Sequence, residues 1–264
     1  MRSSPQRKAE RILGYGRSNS GKTSMWVSLA QWIAEDDGWD SKVYVGDTDN
    51  TWDAIHDDQM DEIVRATHVT DYLSALAWAK ATAKVVRSED WVVYDLADRA
   101  WPWAQEHYNR ERGGDEFTTM GDVLLKNQRF MERETGGKSM AGPHGSNWGV
   151  IYGYYNDLMN TVCNMPCHVL FVAAAREIRE DTKPALVAQY KNLGWYPAGP
   201  GNEHELAHNA HTIIFCSEDV IKGWIYTTVR ERGAIGKPTR TYLKGEQVQD
   251  FVMTYLMGVA GWRP

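Results

Sequence analysis

The sequence is poor in cysteine, lacks any long apolar run and has no excess of basic residues. Its three cysteines, Cys163, Cys167 and Cys216, are too few and odd in number for a disulfide framework, so we expect a reducing, cytoplasmic setting. No uncharged apolar stretch approaches the roughly 20 residues that cross a bilayer, and residues 1–10 show no apolar export signal. A net charge of −6 argues against a protein that binds nucleic acid over its whole surface, because such binding usually requires a strongly basic face.

The 264 residues, 42% of them hydrophobic, are sufficient for one full core. We expect a flexible arm over residues 1–10 and a single domain over 11–264. Hydrophobic patterning predicts strands at 11–15, 42–46, 62–69, 91–95 and 168–174, and helices at 22–35, 71–87 and 148–163. Because the two kinds of element alternate, the fold class is α/β with a mostly parallel central sheet flanked by helices.

Two polar segments interrupt this alternation. Residues 111–147 are rich in glycine and charge and predict a long, poorly ordered loop insertion, and residues 177–203 predict a second polar loop. The C-terminal part carries strand patterns without helices between them, which predicts added antiparallel strands at 211–217, 223–230 and 239–243. A final helix is expected over 246–258.

A glycine-rich segment between the first strand and the first helix matches the spacing G-x-x-x-x-G-K-[ST]. In this motif the main-chain N–H groups and the helix N-terminus bind phosphates, the lysine reaches the outer phosphates and the hydroxyl serves Mg²⁺. The candidate nucleotide-binding residues are Gly16, Arg17, Ser18, Asn19, Ser20, Gly21, Lys22, Thr23 and the following Ser24. The sequence therefore predicts a site for ATP and Mg²⁺, with Lys22 also acting in catalysis.

Acidic residues follow two of the predicted strands. Asp95 closes the strand WVVYD and is the candidate Mg²⁺ ligand, although it could instead cap the following helix. Asp47 and Asp49 follow the strand KVYVG, and either could position the water that attacks the phosphate. A solvated turn is the alternative for this pair.

These segments resemble the RecA-like ATPases, and among them the compact phage nucleotide-binding proteins of the Sak single-strand-annealing type. The resemblance rests on GYGRSNSGKT, KVYVGDTD, WVVYD and HVLFVAAARE, and it extends over most of residues 11–233. It implies a RecA-like P-loop fold, ATP hydrolysis with Mg²⁺, and a role in DNA recombination, annealing or repair. It also implies a homo-oligomer in the cytoplasm of a host cell.

The resemblance further implies roles for three arginines. Arg230 and Arg232 on a late strand are candidates for reaching the nucleotide of the next subunit, and Arg176 is a candidate for sensing the terminal phosphate. Alternate arginines on an edge strand can equally be solvated.

Single-stranded DNA is the expected partner, through loops 111–147 and 177–203. These segments combine basic residues with aromatic neighbours, which can neutralise phosphates and stack on bases, although solvated loops would have the same composition. The basic residues are Arg110, Arg112, Lys126, Arg129, Arg133, Lys138, Arg179, Lys183 and Lys191, and the aromatic ones are Trp148, Tyr190 and Trp195.

Other functions compete with an ATPase. His204-Glu205-x-x-His208 matches the zinc-peptidase pattern, with His211 nearby, but precedes a strand pattern where a peptidase needs a long helix. Cys163 and Cys167 are better explained as buried thiols than as metal ligands. A module that binds nucleotide without turnover and a DNA-packaging motor are further alternatives, the latter without the expected paired acidic residues after WVVY.

Overall fold

The computed structural model describes residues 9–35, 40–55, 58–113, 146–199, 204–221, 223–231, 247–248, 252 and 256. The strands are β1 (Arg11–Gly16), β2 (Val43–Asp47), β3 (Val64–His68), β4 (Trp91–Asp95), β5 (His168–Glu177), β6 (Trp195–Pro197), β7 (Thr212–Asp219), β8 (Gly223–Glu231) and β9 (Gln247–Val248). The helices are α1 (Lys22–Glu35), α2 (Trp52–Ile55), α3 (Tyr72–Thr82), α4 (Ala100–Gly113), α5 (Ser146–Cys163), α6 (Pro184–Tyr190) and α7 (His204–Asn209), with a 3-10 turn at Ala97–Arg99.

The strands form one sheet in the order β3-β2-β4-β5-β1-β7-β8-β9, and β6 pairs with the end of β5. The neighbours from β3 to β7 are parallel, whereas β8 and β9 are added antiparallel. The predicted fold class is therefore confirmed: a mostly parallel α/β sheet with antiparallel strands in the C-terminal part. The parallel strands β2, β4, β5 and β1 consequently end at the same edge of the sheet.

Both faces of the sheet are covered, which explains why the central strands are apolar at successive positions. Ile12, on β1, faces a cluster that includes buried residues of α1, whereas its neighbour Leu13 faces a cluster formed with α3, α4 and α5. Helix α3 begins at a capping box, in which Asp71 accepts from the Ser74 N–H and the Ser74 hydroxyl oxygen accepts from the Asp71 N–H. No helix within the described ranges is long and apolar enough to span a membrane.

Several predicted elements differ from the structure. The polar segment 177–203 contains helix α6 and strand β6, and α4 extends to Gly113 into the predicted insertion. The predicted final helix over 246–258 is wrong at its start, because residues 247–248 pair with β8 as a strand. The predicted flexible arm is wrong at its end, because the Glu10 carbonyl accepts the Val169 N–H of β5 at 2.8 Å. Residues 1–8 of the arm, most of the insertion and the predicted strand 239–243 lie outside the described residues.

Candidate functional site

The glycine-rich segment forms a tight loop between β1 and α1. Asn19 and Gly21 have left-handed backbone conformations, with φ of 59° and 79°. A Cβ on Gly21 would stand 2.5 to 2.8 Å from ring atoms of Trp224 on β8, so the position requires glycine both for its conformation and for its close packing. The phenolic hydroxyl of Tyr226 donates to the Gly21 carbonyl at 3.2 Å, and β8 therefore supports the loop from one side.

Polar groups inside the loop are arranged around its curled backbone. The Lys22 ammonium donates to the Arg17 carbonyl at 2.5 Å, which closes the loop across its mouth. The Ser20 side chain is only 4% exposed, and its hydroxyl has no hydrogen-bond partner among the residues that the structure describes. A buried hydroxyl without a partner is costly, and a ligand oxygen in the loop would satisfy it.

Asp95 lies beside the start of α1. The Thr23 hydroxyl donates to the Asp95 carboxylate at 3.0 Å, and the indole N–H of Trp26 donates to the same oxygen at 2.9 Å. Burial raises the pKa of Asp95 to about 6, the two hydrogen bonds oppose this shift, and the nearby charge of Asp47 adds to it. The carboxylate is thus directed at the end of the glycine loop.

Asp47 and Asp49 have different environments. Asp47 is buried, and its carboxylate accepts main-chain N–H groups from Asp49 at 3.2 Å and from Trp52 at 2.7 Å. It therefore fixes the turn that leads into α2. Asp49 is half exposed and lies 3.9 Å from the Arg99 guanidinium.

Contacts that the sequence did not predict connect the strand ends. The Thr48 N–H donates to the Asp95 carbonyl at 2.6 Å, and the Leu96 N–H donates to the Thr48 hydroxyl at 2.9 Å. Asp98 is mostly buried, and its carboxylate accepts the Ala174 N–H of β5 at 3.0 Å. Burial also raises the pKa of Asp98. The ends of β2, β4 and β5 are thus held together at the edge that carries the loop.

The side chain of Arg17 contacts an aromatic ring. Its guanidinium carbon lies 5.0 Å from the centre of the Trp195 ring on β6, in a cation–π arrangement. The Tyr15 hydroxyl donates to the Trp195 carbonyl at 3.2 Å. The sequence does not predict this role for Trp195, Trp224 or Tyr226, because each lies more than 170 residues from the loop that it contacts.

The three candidate arginines are placed differently. Arg176 is exposed near the end of β5, two positions beyond Ala174, which pairs with Gly16, and so lies at the edge of the loop. Arg230 pairs with Ile213, which puts its backbone at the other end of β8 from Trp224. Its side chain is not among those described, and its contact with a neighbouring subunit stays a prediction. Arg232 lies outside the described residues.

The residues expected to bind DNA are only partly described. Arg110, Arg179, Lys183 and Lys191 are exposed. The prediction that Tyr190 could stack on bases is wrong, because this side chain is 1% exposed and packs edge-on against Tyr15. The side chains of Arg112 and Trp148, and the basic residues 126, 129, 133 and 138, lie outside the described part.

The HExxH segment forms helix α7, which is only six residues long. The side chains of His204, Glu205 and His208 are not among those described. In the ranges that are, no group of three potential metal-ligating residues occurs. Cys163 and Cys167 are free and buried, as predicted, and so is Cys216; burial raises the pKa of Cys163 to about 11.

Fold and site together define an α/β protein whose glycine-rich loop joins the first strand to the first helix beside a carboxylate on a nearby parallel strand. No protein-family model matches the chain, and no curated protein matches it. Among solved structures, the crystal structure of the RadB recombinase is similar, with 14% identity and a TM-score of 0.46 over 90% of this chain and 84% of that chain. The narrower resemblance to Sak-type phage proteins stays a prediction.

Proposed function

We propose that this protein binds ATP with Mg²⁺ at the glycine-rich loop and hydrolyses it. The observation that carries the proposal is the 3.0 Å contact between the Thr23 hydroxyl and the Asp95 carboxylate, directly after the loop. A hydroxyl and a carboxylate at this position are oxygen ligands of the type that Mg²⁺ prefers. In Mg²⁺–nucleotide sites, the strand carboxylate holds the ion directly or through its water shell.

The loop itself supports the phosphate part of the proposal. Its backbone is curled with two left-handed residues, and Lys22 lies at its mouth. The hydroxyl of Ser20 lacks a partner within the described structure, so the loop offers hydrogen-bond capacity that its own residues leave unused. Phosphate oxygens accept N–H and O–H donors, and the positive N-terminus of α1 favours an anion there.

In the chemical step, bound Mg²⁺ would neutralise part of the charge that develops on the transferred phosphoryl group. Lys22 and the loop amides would add to that stabilisation. Asp49 is our candidate for orienting the attacking water, because its carboxylate is half exposed at the same edge. Asp47 is the weaker candidate, since two main-chain N–H groups already occupy its oxygens.

The cellular role that we propose is DNA recombination, single-strand annealing or repair by a homo-oligomer in the cytoplasm. This part rests on the sequence resemblance and on the exposed basic residues Arg179, Lys183 and Lys191 between β5 and β7. Arg230 and Arg232 would then act on the nucleotide of the next subunit, and Arg176 on the phosphate of its own.

The test is ATP turnover with and without single-stranded DNA, combined with the mass in solution. We expect turnover in the parent protein and at least a hundredfold loss in Lys22→Ala, because one positioned donor in such a site is worth about that factor. Equal rates in both proteins would refute an ATPase at this loop. Tight binding without turnover would favour a nucleotide-gated module, and stoichiometric zinc in the purified protein would favour a peptidase.

A further inference from the structure

We infer that Trp195 is a positioning residue, which holds the Arg17 guanidinium at the mouth of the loop, where it meets the terminal phosphate of a nucleoside triphosphate. The inference rests on the proposed function, and it names what makes the site distinguish a triphosphate from a diphosphate. It starts from the contact between the guanidinium carbon of Arg17 and the Trp195 ring, 5.0 Å from the ring centre.

In the described part of the chain, the Arg17 guanidinium is held without being neutralised. Its side chain is exposed, and none of the ion pairs between described residues includes it. A carboxylate partner would occupy the N–H donors of the guanidinium, whereas an aromatic ring attracts the cation and takes up none of them. The donors of Arg17 therefore stay available to phosphate oxygens while the side chain is kept in one place.

The ring is itself fixed to the strand that carries the loop. Trp195 is half-buried, pairs with Glu177 through the β5–β6 ladder, and accepts the hydroxyl of Tyr15 at its carbonyl at 3.2 Å. Tyr15 is fully buried and immediately precedes Gly16, the first glycine of the loop. The distance between Trp195 and the glycine-rich loop is consequently set by the core of the protein.

The position of Arg17 relative to Lys22 indicates which phosphate group of the nucleotide the guanidinium binds. The Lys22 ammonium donates to the main-chain carbonyl of Arg17 at 2.5 Å, so the backbone that carries the Arg17 side chain lies directly beside the lysine. In loops of this sequence the lysine reaches the outer phosphates. An arginine beside it meets a charge that a triphosphate carries and a diphosphate lacks.

The experiment measures the dissociation constants of Mg–ATP and Mg–ADP by calorimetry for the parent protein and a set of variants. We expect Arg17→Gln to lower the ATP-to-ADP preference about tenfold, through loss of a charge-assisted contact. Trp195→Leu should lower it about threefold, and Trp195→Phe, which keeps an aromatic face, should stay near the parent. Combined with Arg17→Gln, the leucine substitution should have no further effect.

Trp224→Leu is the matched control. This tryptophan also packs on the loop, at Gly21, but no cation of the described residues lies over its ring, so its loss should weaken the binding of ATP and of ADP by the same factor. An unchanged preference in Trp195→Leu, a threefold loss that persists without Arg17, or failure of phenylalanine to restore the preference would each overturn the inference while ATP binding stands. A parent protein that binds neither nucleotide would refute the proposed function, and the inference with it.

Discussion

Replacing Asp95 with asparagine should make the nucleotide-free protein more stable at neutral pH. Asparagine keeps an oxygen for the Thr23 hydroxyl and the Trp26 indole N–H, and it removes a charge whose burial costs more than these two hydrogen bonds return. The pKa of Asp95 is raised from 3.8 to about 6, so ionising the folded protein costs free energy that ionising the unfolded chain does not. The parent carries this cost at pH 7 and the variant does not.

The size of the effect follows from the shift. At 1.36 kcal/mol per pKa unit, the variant should gain about 3 kcal/mol in free energy of unfolding at pH 7. Because the folded parent binds the proton more tightly than the unfolded chain, the gain should shrink as pH falls through 6, to roughly half near pH 5 and close to zero below pH 4. Urea unfolding of both proteins at four pH values measures the curve.

A second aspartate-to-asparagine substitution, at the protein surface, controls for the loss of a carboxylate as such. Asp181→Asn, on an exposed residue, should change stability by less than about 0.5 kcal/mol at every pH. If Asp95→Asn were less stable than the parent at pH 7, or if its gain did not vary with pH, the assignment of a buried, desolvated carboxylate would be wrong. The variant should also lose the stabilisation that Mg–ATP gives the parent, about 2.7 kcal/mol at a hundred times the dissociation constant.

Three further substitutions test other parts of the molecule. Gly21→Ala should lower the free energy of unfolding by about 1 to 3 kcal/mol, because the added Cβ meets the Trp224 ring in a left-handed backbone position; unchanged urea unfolding would contradict that packing. Asp90→Ala should cost about 3 kcal/mol by the same measurement, since Asp90 is fully buried and is paired with Arg87 at 3.1 Å; a loss below 1 kcal/mol would show that the pair is dispensable. Asp49→Asn should reduce kcat at least tenfold with little change in KM for ATP, and an unaltered kcat would exclude Asp49 as the residue that orients water.

The loop, its flanking strand and its helix could be predicted because all their signals lie within about 25 consecutive residues. The strand WVVYD and the position of Asp95 at its end could also be predicted, since a buried parallel strand is a continuous apolar run. Helix α4 was missed because its buried face consists of Ala100, Ala104 and Tyr108, and two alanines among polar residues give only a weak apolar pattern. Strand β6 was missed because three residues carry too little pattern.

The partners of the site residues could not be predicted from the sequence. Whether Asp95 meets Thr23 or caps a helix depends on which strands become neighbours, and that is decided by the packing of the whole sheet. The division between Asp47 and Asp49 is similar, because it depends on which carboxylate turns toward the N–H groups of the following turn. Local sequence sets the residue types, and tertiary structure sets their contacts.

The strand that bears the glycine-rich loop, β1, is made early, but the strands that pair with it are made much later. Its two neighbours in the sheet, β5 and β7, begin at residues 168 and 212, and the hydroxyl that supports Gly21 comes from a residue 205 positions further along the chain. During synthesis, β1 therefore emerges before both of the strands that pair with it, and its two edges stay unpaired until β5 and β7 have been made. Exposed strand edges of this kind bind chaperones or aggregate, so the yield of active protein should depend on how that interval is protected.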